Sequence, residues 1–212
     1  MLFNKDMLRL YAITDRECLR GRDIVSQVEQ AVLGGATIIQ LRDKGLSQSE
    51  VIDTAKRLLP VCHSFGVPLI VNDDYTAALE SGADGVHVGA EDAAVAEIRR
   101  IAGEGFIIGA TAKTVSQALL AQEQGADYLG VGAVFPSPTK TNAIRITPQQ
   151  LTEICGSVHI PAVAIGGINR ENVHAIKGCG QCGIAVVSAV FAAEDVKGAA
   201  ADMRKAAEEV CS

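Results

Sequence analysis

The chain has 212 residues, a length that suits one domain with a substantial buried core. Hydrophobic residues make up 48% of the sequence and aromatic residues 4%, so we expect a core of Val, Ile, Leu and Ala. The net charge of −6, with 19 basic residues scattered along the chain, excludes a basic nucleic-acid-binding stripe and restricts any anion site to a local cluster.

The first residues, MLFNKDMLRLYAITD, lack the apolar core and the cleavage site of a signal peptide. No apolar run reaches the roughly 20 residues needed to span a bilayer. We therefore expect a cytoplasmic protein with no membrane partner. Cys179 and Cys182 have the spacing of a zinc knuckle, but no second such pair accompanies them, so we interpret them as thiols in a turn between a helix and a strand.

Short β-branched runs alternate with longer amphipathic stretches, and the runs are continuously apolar, as in strands covered on both faces. Eight strand–helix units are predicted. The predicted strands cover residues 10–14, 37–42, 68–72, 85–88, 106–111, 128–132, 161–165 and 184–188. Examples of the predicted helices are 24–33, 48–65, 115–124 and 199–210.

A glycine stands where several predicted helices meet the next strand, as in GGAT, FGVP, SGADG and QGADY. A left-handed glycine ends a helix and lets the chain turn back. Eight such units predict an α/β fold with one domain over residues 1–212, a (β/α)₈ TIM barrel with its active site at the carboxyl ends of the strands. The alternative, an open doubly wound sheet, is weakened because no GxGxxG follows the first strand.

Cations follow the second predicted strand, where Gln40, Arg42 and Lys44 occupy alternate positions and would point the same way in an extended segment. They fit an oligophosphate, because arginine binds such groups bidentately and lysine binds them as a point charge. The alternative is a solvated loop in which Arg42 pairs with Asp43 or another neighbouring acid.

Carboxylates follow the next two strands, in Asn72-Asp73-Asp74 and in Glu91-Asp92. Oxygen ligands at a barrel mouth suit Mg²⁺, which often bridges to substrate phosphates. The alternative is that Asp73 or Asp74 caps the next helix and that Asp92 caps a helix beginning at residue 93. Two acids at successive strand ends, beside QLRDK, favour the metal.

Hydroxyls follow the fifth and sixth strands. Thr111 would contact a leaving phosphate or be a buried strand hydroxyl bonded to backbone. The sixth strand leads into FPSPTK, where prolines stiffen a loop that carries Ser137, Thr139 and Lys140. His87, inside the fourth strand, is interpreted as a core residue with satisfied hydrogen bonds.

Glycines and small residues follow the last two strands, at Gly166-Gly167 and Val187-Ser188. Loops at these positions form the recurrent phosphate site of such barrels, because glycine lets backbone N–H groups approach the anion. The sequence therefore predicts two anion sites at one mouth: a polyphosphate with Mg²⁺ over strands two to five, and a monophosphate over strands seven and eight.

In their order and spacing, the motifs QLRDK, ND, GADGVHVGAED, GATAK, PSPTK, IGGI and VVSA resemble bacterial thiamine-phosphate synthase over essentially the whole chain. That family joins 4-amino-2-methyl-5-hydroxymethylpyrimidine diphosphate to a thiazole phosphate, forming thiamine phosphate and pyrophosphate. The resemblance implies a dissociative reaction in which pyrophosphate leaves first and the thiazole nitrogen captures the pyrimidine cation. Such a reaction needs charge neutralisation and alignment rather than a protein nucleophile.

The resemblance also implies roles for single residues. The pyrimidine diphosphate would be held by Gln40, Arg42, Lys44, Asn72 and Lys140. Mg²⁺ would be bound by Asp73 and Asp92. The thiazole phosphate would be held by Ser137, Thr139, Gly167 and the backbone of Val187 and Ser188. The catalytic residues, which act on the leaving group, would be Arg42, Thr111 and Lys140.

The sequence departs from the family at three positions: Thr111 replaces a serine, Ser137 replaces a frequent threonine, and Lys113 stands where many relatives have histidine. Related thiazole tautomerases lack much of the diphosphate and metal set, and some rely on that histidine, so a tautomerase-like relative is the alternative function. A phosphosugar isomerase would need an acid–base pair, and a non-catalytic relative would have lost metal ligands or Lys140. We expect a Mg²⁺-dependent enzyme with small-molecule substrates; the sequence also permits a homo-oligomer.

Overall fold

The computed structural model describes residues 3–89, 94–137 and 144–211. Eight parallel strands close into a barrel in sequence order, with the first strand paired to the eighth. This closure confirms the predicted (β/α)₈ barrel and is incompatible with an open doubly wound sheet. The strands are β1 (Leu10–Ile13), β2 (Ile38–Leu41), β3 (Leu69–Asn72), β4 (Gly85–Val88), β5 (Ile107–Ala112), β6 (Tyr128–Gly132), β7 (Ala162–Ile165) and β8 (Gly183–Val186).

Helices surround the barrel, and the four predicted over residues 24–33, 48–65, 115–124 and 199–210 agree with the observed bounds to within three residues. They are α1 (Arg16–Leu19), α2 (Ile24–Leu33), α3 (Gln48–Ser64), α4 (Tyr75–Ser81), α5 (Val95–Ala102), α6 (Val115–Glu123), α7 (Pro148–Ser157), α8 (Ser188–Phe191) and α9 (Val196–Val210). Left-handed glycines follow α3 and α4, at Gly66 (φ 68°) and Gly82 (φ 78°), as predicted. Within the described ranges, no helix is both long and apolar enough to cross a bilayer.

The sequence predicted a helix after each of the eight strands, but the connection between β7 and β8 differs. It contains a 3₁₀ turn, Val173–Ile176, and no α-helix. The side chain of Asn169 accepts hydrogen bonds from the N–H groups of Glu171 and Asn172, which holds this backbone in a local turn. Gly178, with φ of 79°, then turns the chain toward β8.

The barrel interior is filled at the amino ends of the strands. Leu8, which precedes β1, belongs to the interior cluster, and Phe3 packs against it, with 5.8 Å between the ring centroids of Phe3 and Tyr128. A second, larger apolar layer lies between the strands and the helices. Among the described residues, these side chains fill the amino end of the barrel. The buried interior cluster consists of Leu8, Tyr11, Ile13, Ile38, Ile70, Ile107, Tyr128, Val163, Cys182 and Ala185.

Two strand glycines provide the space that large polar side chains occupy inside the barrel. A Cβ atom at Gly109 would overlap the phenol of Tyr128 and would lie 2.5 Å from Nδ1 of His87. A Cβ atom at Gly130 would lie 2.9 Å from Cε1 of His87. Both separations are shorter than real Cβ contacts, so Tyr128 and His87 can take these positions only because β5 and β6 carry glycine there.

We expect Gly109→Ala to lower the free energy of unfolding by about 1–3 kcal/mol, because the buried rings cannot move away from the added methyl group. Gly156→Ala is the matched control: this glycine lies in α7, and a Cβ atom there meets nothing within 4 Å. The free energy of unfolding of the control should be unchanged or higher by up to about 1 kcal/mol. Urea denaturation measures both, and equal stabilities of the two variants would contradict the expected overlap.

Candidate active site

A cavity of about 490 Å³ lies at the carboxyl ends of the strands and receives side chains or backbone from all eight of them. Its volume is within the roughly 300–1,000 Å³ of small-molecule sites. Ten of the residues predicted from the sequence line it, although they come from distant parts of the chain. These residues are Gln40, Arg42, Lys44, Asn72, Asp73, Thr111, Ser137, Gly167, Val187 and Ser188.

Three predicted site residues, Asp92, Thr139 and Lys140, lie outside the described residues, so their roles stay predictions. The structure does bear on the alternative in which Asp92 caps a helix beginning at residue 93. Helix α5 begins at Val95, with Ala94 as its N-cap residue, rather than at residue 93.

Arg42 is held in place by an acid from the loop after β1. Its Nη1 lies 2.8 Å from Oδ2 of Asp15, whose other oxygen accepts hydrogen bonds from the N–H groups that begin α1. The neighbouring Asp43 pairs instead with Nε of Arg16, also at 2.8 Å. Arg42 thus has an acidic partner, as the solvated-loop alternative supposed, and yet lines the cavity. The pair with Asp15 orients the guanidinium and leaves its other N–H groups for a ligand.

The two adjacent acids after β3 have different positions. Asp74 caps α4: its carboxylate accepts hydrogen bonds from the N–H of Ala77 and from Nε2 of Gln48, both at 2.9 Å. Asp73 lines the cavity with a left-handed backbone, φ 63°, while its N–H donates to the carbonyl of His87 at 2.8 Å. A non-glycine residue in this region costs of order 1–3 kcal/mol and is often found at functional sites. The capping alternative therefore holds for Asp74 and not for Asp73.

The opposite side of the cavity is made of backbone and small side chains. Gly167 has φ of 62°, and a Cβ atom there would lie 2.8 Å from the carbonyl oxygen of Phe135, so glycine is needed where the loops after β6 and β7 meet. The side chain of Asn172 donates to the carbonyl of Gly167 at 2.8 Å and fixes this loop. The short helix α8 begins at Ser188, beside it. Backbone N–H groups at such a surface suit a monophosphate.

A chain of five side chains, which we call the polar chain, crosses the barrel below the cavity. Nε2 of Gln40 donates to Oη of Tyr11 at 2.7 Å, and this hydroxyl lies 2.8 Å from Oη of Tyr128. Oη of Tyr128 lies 3.1 Å from Nδ1 of His87, whose Nε2 lies 3.0 Å from Oγ1 of Thr111. His87 is buried with satisfied nitrogens, as predicted, but it also lines the cavity.

The sequence predictions missed the two tyrosines of the polar chain, Tyr11 and Tyr128, because both lie in apolar strands. One signal was available: a tyrosine buried in a barrel needs a partner for its hydroxyl. Burial raises the pKa of Tyr11 above the usual range of phenols, although its hydrogen bonds with Tyr128 and Gln40 oppose this shift. Burial and the proximity of Tyr11 also raise the pKa of Tyr128. Both residues are therefore neutral phenols near pH 7.

Lys113 and Gln117 also line the cavity, and the backbone N–H of Lys113 donates to Oε1 of Gln117 at 2.8 Å. Lys113 thus adds a third described cation beside Arg42 and Lys44. Gln117 carried no signal in the sequence, since it lies in the first turns of α6 rather than at a strand end.

The two cysteines with zinc-knuckle spacing are not among the described residues that line the cavity. Cys179 and Cys182 lie buried in the turn before β8, and burial raises the pKa of Cys182, whose thiol donates to the carbonyl of Ala162 at 3.3 Å. In the part of the chain that the structure describes, no group of three or more His, Cys, Asp and Glu residues could hold a metal ion.

Comparison with known proteins identifies close relatives. A family model described as thiamine monophosphate synthase matches residues 10–190. A thiamine-phosphate synthase from Clostridium tetani (strain Massachusetts / E88) is 43% identical over 203 residues, which cover 95% of this chain and 97% of the relative. One from Shouchella clausii (strain KSM-K16) is 43% identical over 202 residues, covering 95% and 97%.

Solved structures agree with this result. The structure of thiamine phosphate pyrophosphorylase from Pyrococcus furiosus matches with a TM-score of 0.89 and 42% identity, and the match covers 98% of this chain and 99% of that one. A structure of 3-hexulose-6-phosphate synthase matches with a TM-score of 0.66 at 14% identity, and this likeness shows the fold alone.

The cap formed by Asp74 generates a prediction about stability and pH. Burial raises the pKa of Asp74, but the hydrogen bonds from Ala77 and Gln48 outweigh burial and lower the pKa below its ordinary value of 3.8. A lowered folded-state pKa stabilises the protein above the unfolded-state pKa, and this stabilisation is lost as the pH falls through the folded-state value. Asp74→Ala should therefore be less stable by about 1 kcal/mol at neutral pH, and this deficit should narrow in acid.

Urea denaturation near pH 7 and again near pH 3 measures this difference. Asp53→Ala, on an exposed position of α3, is the matched control and should show no comparable deficit at either pH. A deficit of Asp74→Ala that stays the same at both pH values would show that the carboxylate charge does not stabilise the cap.

Proposed function

Because the chain belongs to the thiamine monophosphate synthase family, we propose that the cavity at the barrel mouth is the active site of a thiamine-phosphate synthase. Such a transferase joins two small-molecule substrates, a pyrimidine diphosphate and a thiazole phosphate, and releases pyrophosphate. The observation that carries the proposal is the arrangement of the cavity, in which cations lie on one side and glycine-rich backbone on the other.

The cationic side suits the diphosphate. Arg42, Lys44 and Lys113 line it, and their charges would balance the negative charge that grows on pyrophosphate as it leaves. Arg42 is oriented beforehand by Asp15, so little ordering remains when the diphosphate binds. The hydroxyl of Thr111 would donate to an oxygen of the leaving group. Lys140 would add a further cation from the loop after β6.

The acids of the cavity fit Mg²⁺. This ion takes oxygen ligands, keeps several waters and is usually held by one or two carboxylates together with substrate phosphates. Asp73 offers one such carboxylate, and Asp92 would offer the second. A site of this kind needs no cluster of three protein ligands, so it is compatible with the donor set of the described residues. When bound, Mg²⁺ supplies charge neutralisation for the departing pyrophosphate.

The glycine-rich side suits the thiazole phosphate. The backbone of Gly167, Val187 and Ser188, with the hydroxyl of Ser137, would hold this monophosphate, and Thr139 would assist from the same loop. Holding it there places the thiazole near the pyrimidine, so that its ring nitrogen can capture the cation left by pyrophosphate. His87 has both ring nitrogens in hydrogen bonds, which supports a reaction without a protein nucleophile.

Lys113 bears on the tautomerase-like alternative. The family resemblance implies that tautomerase activity depends, in some relatives, on a histidine at this position. Here the side chain at this position is a lysine that lines the cavity beside the diphosphate set. A lysine ammonium suits the neutralisation of pyrophosphate, whereas histidine is the side chain that commonly moves protons near pH 7. The arrangement therefore supports the synthase.

The proposed reaction is tested by mixing the purified protein with both substrates and measuring pyrophosphate and thiamine phosphate. We expect equal amounts of the two products with Mg²⁺ present and none after EDTA removes the metal, because the leaving group would then lack part of its charge neutralisation. A metal-loaded protein that forms neither product would overturn the assignment. Conversion of the thiazole phosphate alone would support the tautomerase instead.

The neighbouring acids offer a matched pair of variants. Asp73→Asn removes a carboxylate charge from the cavity, and asparagine tolerates the left-handed backbone, so turnover should fall about 100-fold with the fold intact. Asp74→Asn keeps a capping side chain outside the metal site and should retain turnover within a few-fold. Steady-state rates at several Mg²⁺ concentrations measure both. Near-normal turnover of Asp73→Asn would remove Asp73 from the metal site.

A further inference from the structure

The guanidinium of Arg22 joins two segments that lie far apart in the sequence. Its Nε donates to the carbonyl of Leu19 at 3.0 Å, and its Nη2 donates to the carbonyl of Cys18 at 3.2 Å. Its Nη1 donates to the carbonyl of Ala193 at 2.6 Å, and Nη2 also donates to that of Phe191. One side chain therefore binds four backbone carbonyls, two at the end of α1 and two at or just after the end of α8.

Helix α8 connects this anchor to the cavity. Val187 and Ser188, which line the cavity, lie at its beginning, and the fully buried Phe191 is its last residue. The N–H of Phe191 donates to the carbonyl of Val187 at 3.0 Å, while the carbonyl of Phe191 accepts from Arg22. A helix of four residues has little stability of its own, so its position depends on what its ends contact. A shift at Phe191 would therefore also move the backbone at the cavity.

Helix α1, at the other end of the anchor, is tied to the cationic side of the cavity. Its N-cap residue, Asp15, pairs with Arg42 at 2.8 Å. Its first residue, Arg16, pairs with Asp43 at 2.8 Å. Because neither ion pair involves Arg22, α1 has its own attachment to this side. Arg22 therefore links α8 to a helix that is already fixed beside Arg42.

We propose that Arg22 is a positioning residue, which holds the backbone of Val187 and Ser188 in place relative to Arg42 and so sets the spacing between the two bound substrates. This inference rests on the proposed function, in which that backbone would hold the monophosphate and Arg42 the diphosphate. Arg22 is not among the described residues that line the cavity, so it would act through α8 rather than by touching a ligand. A reaction that depends on alignment is sensitive to such spacing, because a small misplacement of one substrate lowers the rate.

Arginine suits this task better than lysine does. Its planar guanidinium carries five N–H donors in a fixed arrangement, whereas lysine has a single ammonium on a flexible stem with three donors. In Arg22→Lys the four carbonyls would no longer be bound together, but the ion pairs of Asp15 and Arg16 would remain. Helix α1 should then keep its place while α8 loses its link to α1. The variant should therefore bind the thiazole phosphate less well and the pyrimidine diphosphate nearly as well as the wild type does.

The first test measures the KM values of Arg22→Lys for both substrates. We expect KM for the thiazole phosphate to rise about tenfold and KM for the pyrimidine diphosphate to change by less than about threefold. Arg99→Lys is the matched control, because Arg99 also donates to backbone carbonyls, those of Gly103, Phe106 and Gly125, and is not among the described residues that line the cavity. The control should lose stability but keep both KM values. Unchanged KM values in Arg22→Lys, an equal rise of both, or a rise matched by Arg99→Lys would overturn the inference.

The second test needs no turnover and so separates this inference from the proposed function. Hydrogen exchange of the backbone amides of residues 188–193 should be about tenfold faster in Arg22→Lys than in the wild type, and unchanged in Arg99→Lys. Arg22→Gln, which keeps two N–H donors and no charge, should give the same pattern, so the test does not depend on one substitution. Exchange of this segment at the wild-type rate in both Arg22 variants would overturn the inference even if the protein forms thiamine phosphate.

Discussion

The closure of eight parallel strands into one barrel is the constraint on which the site depends. Parallel strands in a closed barrel end at the same rim, so their carboxyl ends bring together residues from the whole chain. Gln40 lies in β2, whereas Arg42 and Lys44 follow the end of this strand at Leu41, and all three line the same cavity. The shared rim therefore decides which polar residues can act on one ligand.

Space inside the barrel is the second requirement. A core of aliphatic residues would have filled the interior up to the rim, but Gly109 and Gly130 leave room for the rings of Tyr128 and His87. A buried polar network is stable only when its members find partners, and the polar chain satisfies the hydroxyls of Tyr11 and Tyr128 with one another. Four of the five members of the polar chain also line the cavity, so the packed interior and the cavity surface share these residues.

Charged and uncharged residues line different parts of the cavity. Cations on one side face backbone and small residues on the other, while the acids after β3 and β1 have separate tasks. Asp74 stabilises a helix, Asp15 orients Arg42, and Asp73 faces the cavity. We propose that a site built in this way would act by balancing charge and aligning two substrates, a mechanism that needs no protein nucleophile.

The amino-acid sequence by itself determined the strands, four of the helices, the barrel and ten of the residues that line the cavity, because periodicity and turn chemistry depend on near neighbours. Only the tertiary structure decided which of Asp73 and Asp74 faces the cavity, and that the β7–β8 connection holds a 3₁₀ turn. It also revealed that Tyr11 and Tyr128, 117 positions apart, share a hydrogen bond. Such partners meet only when the barrel closes, so no local pattern in the sequence records them.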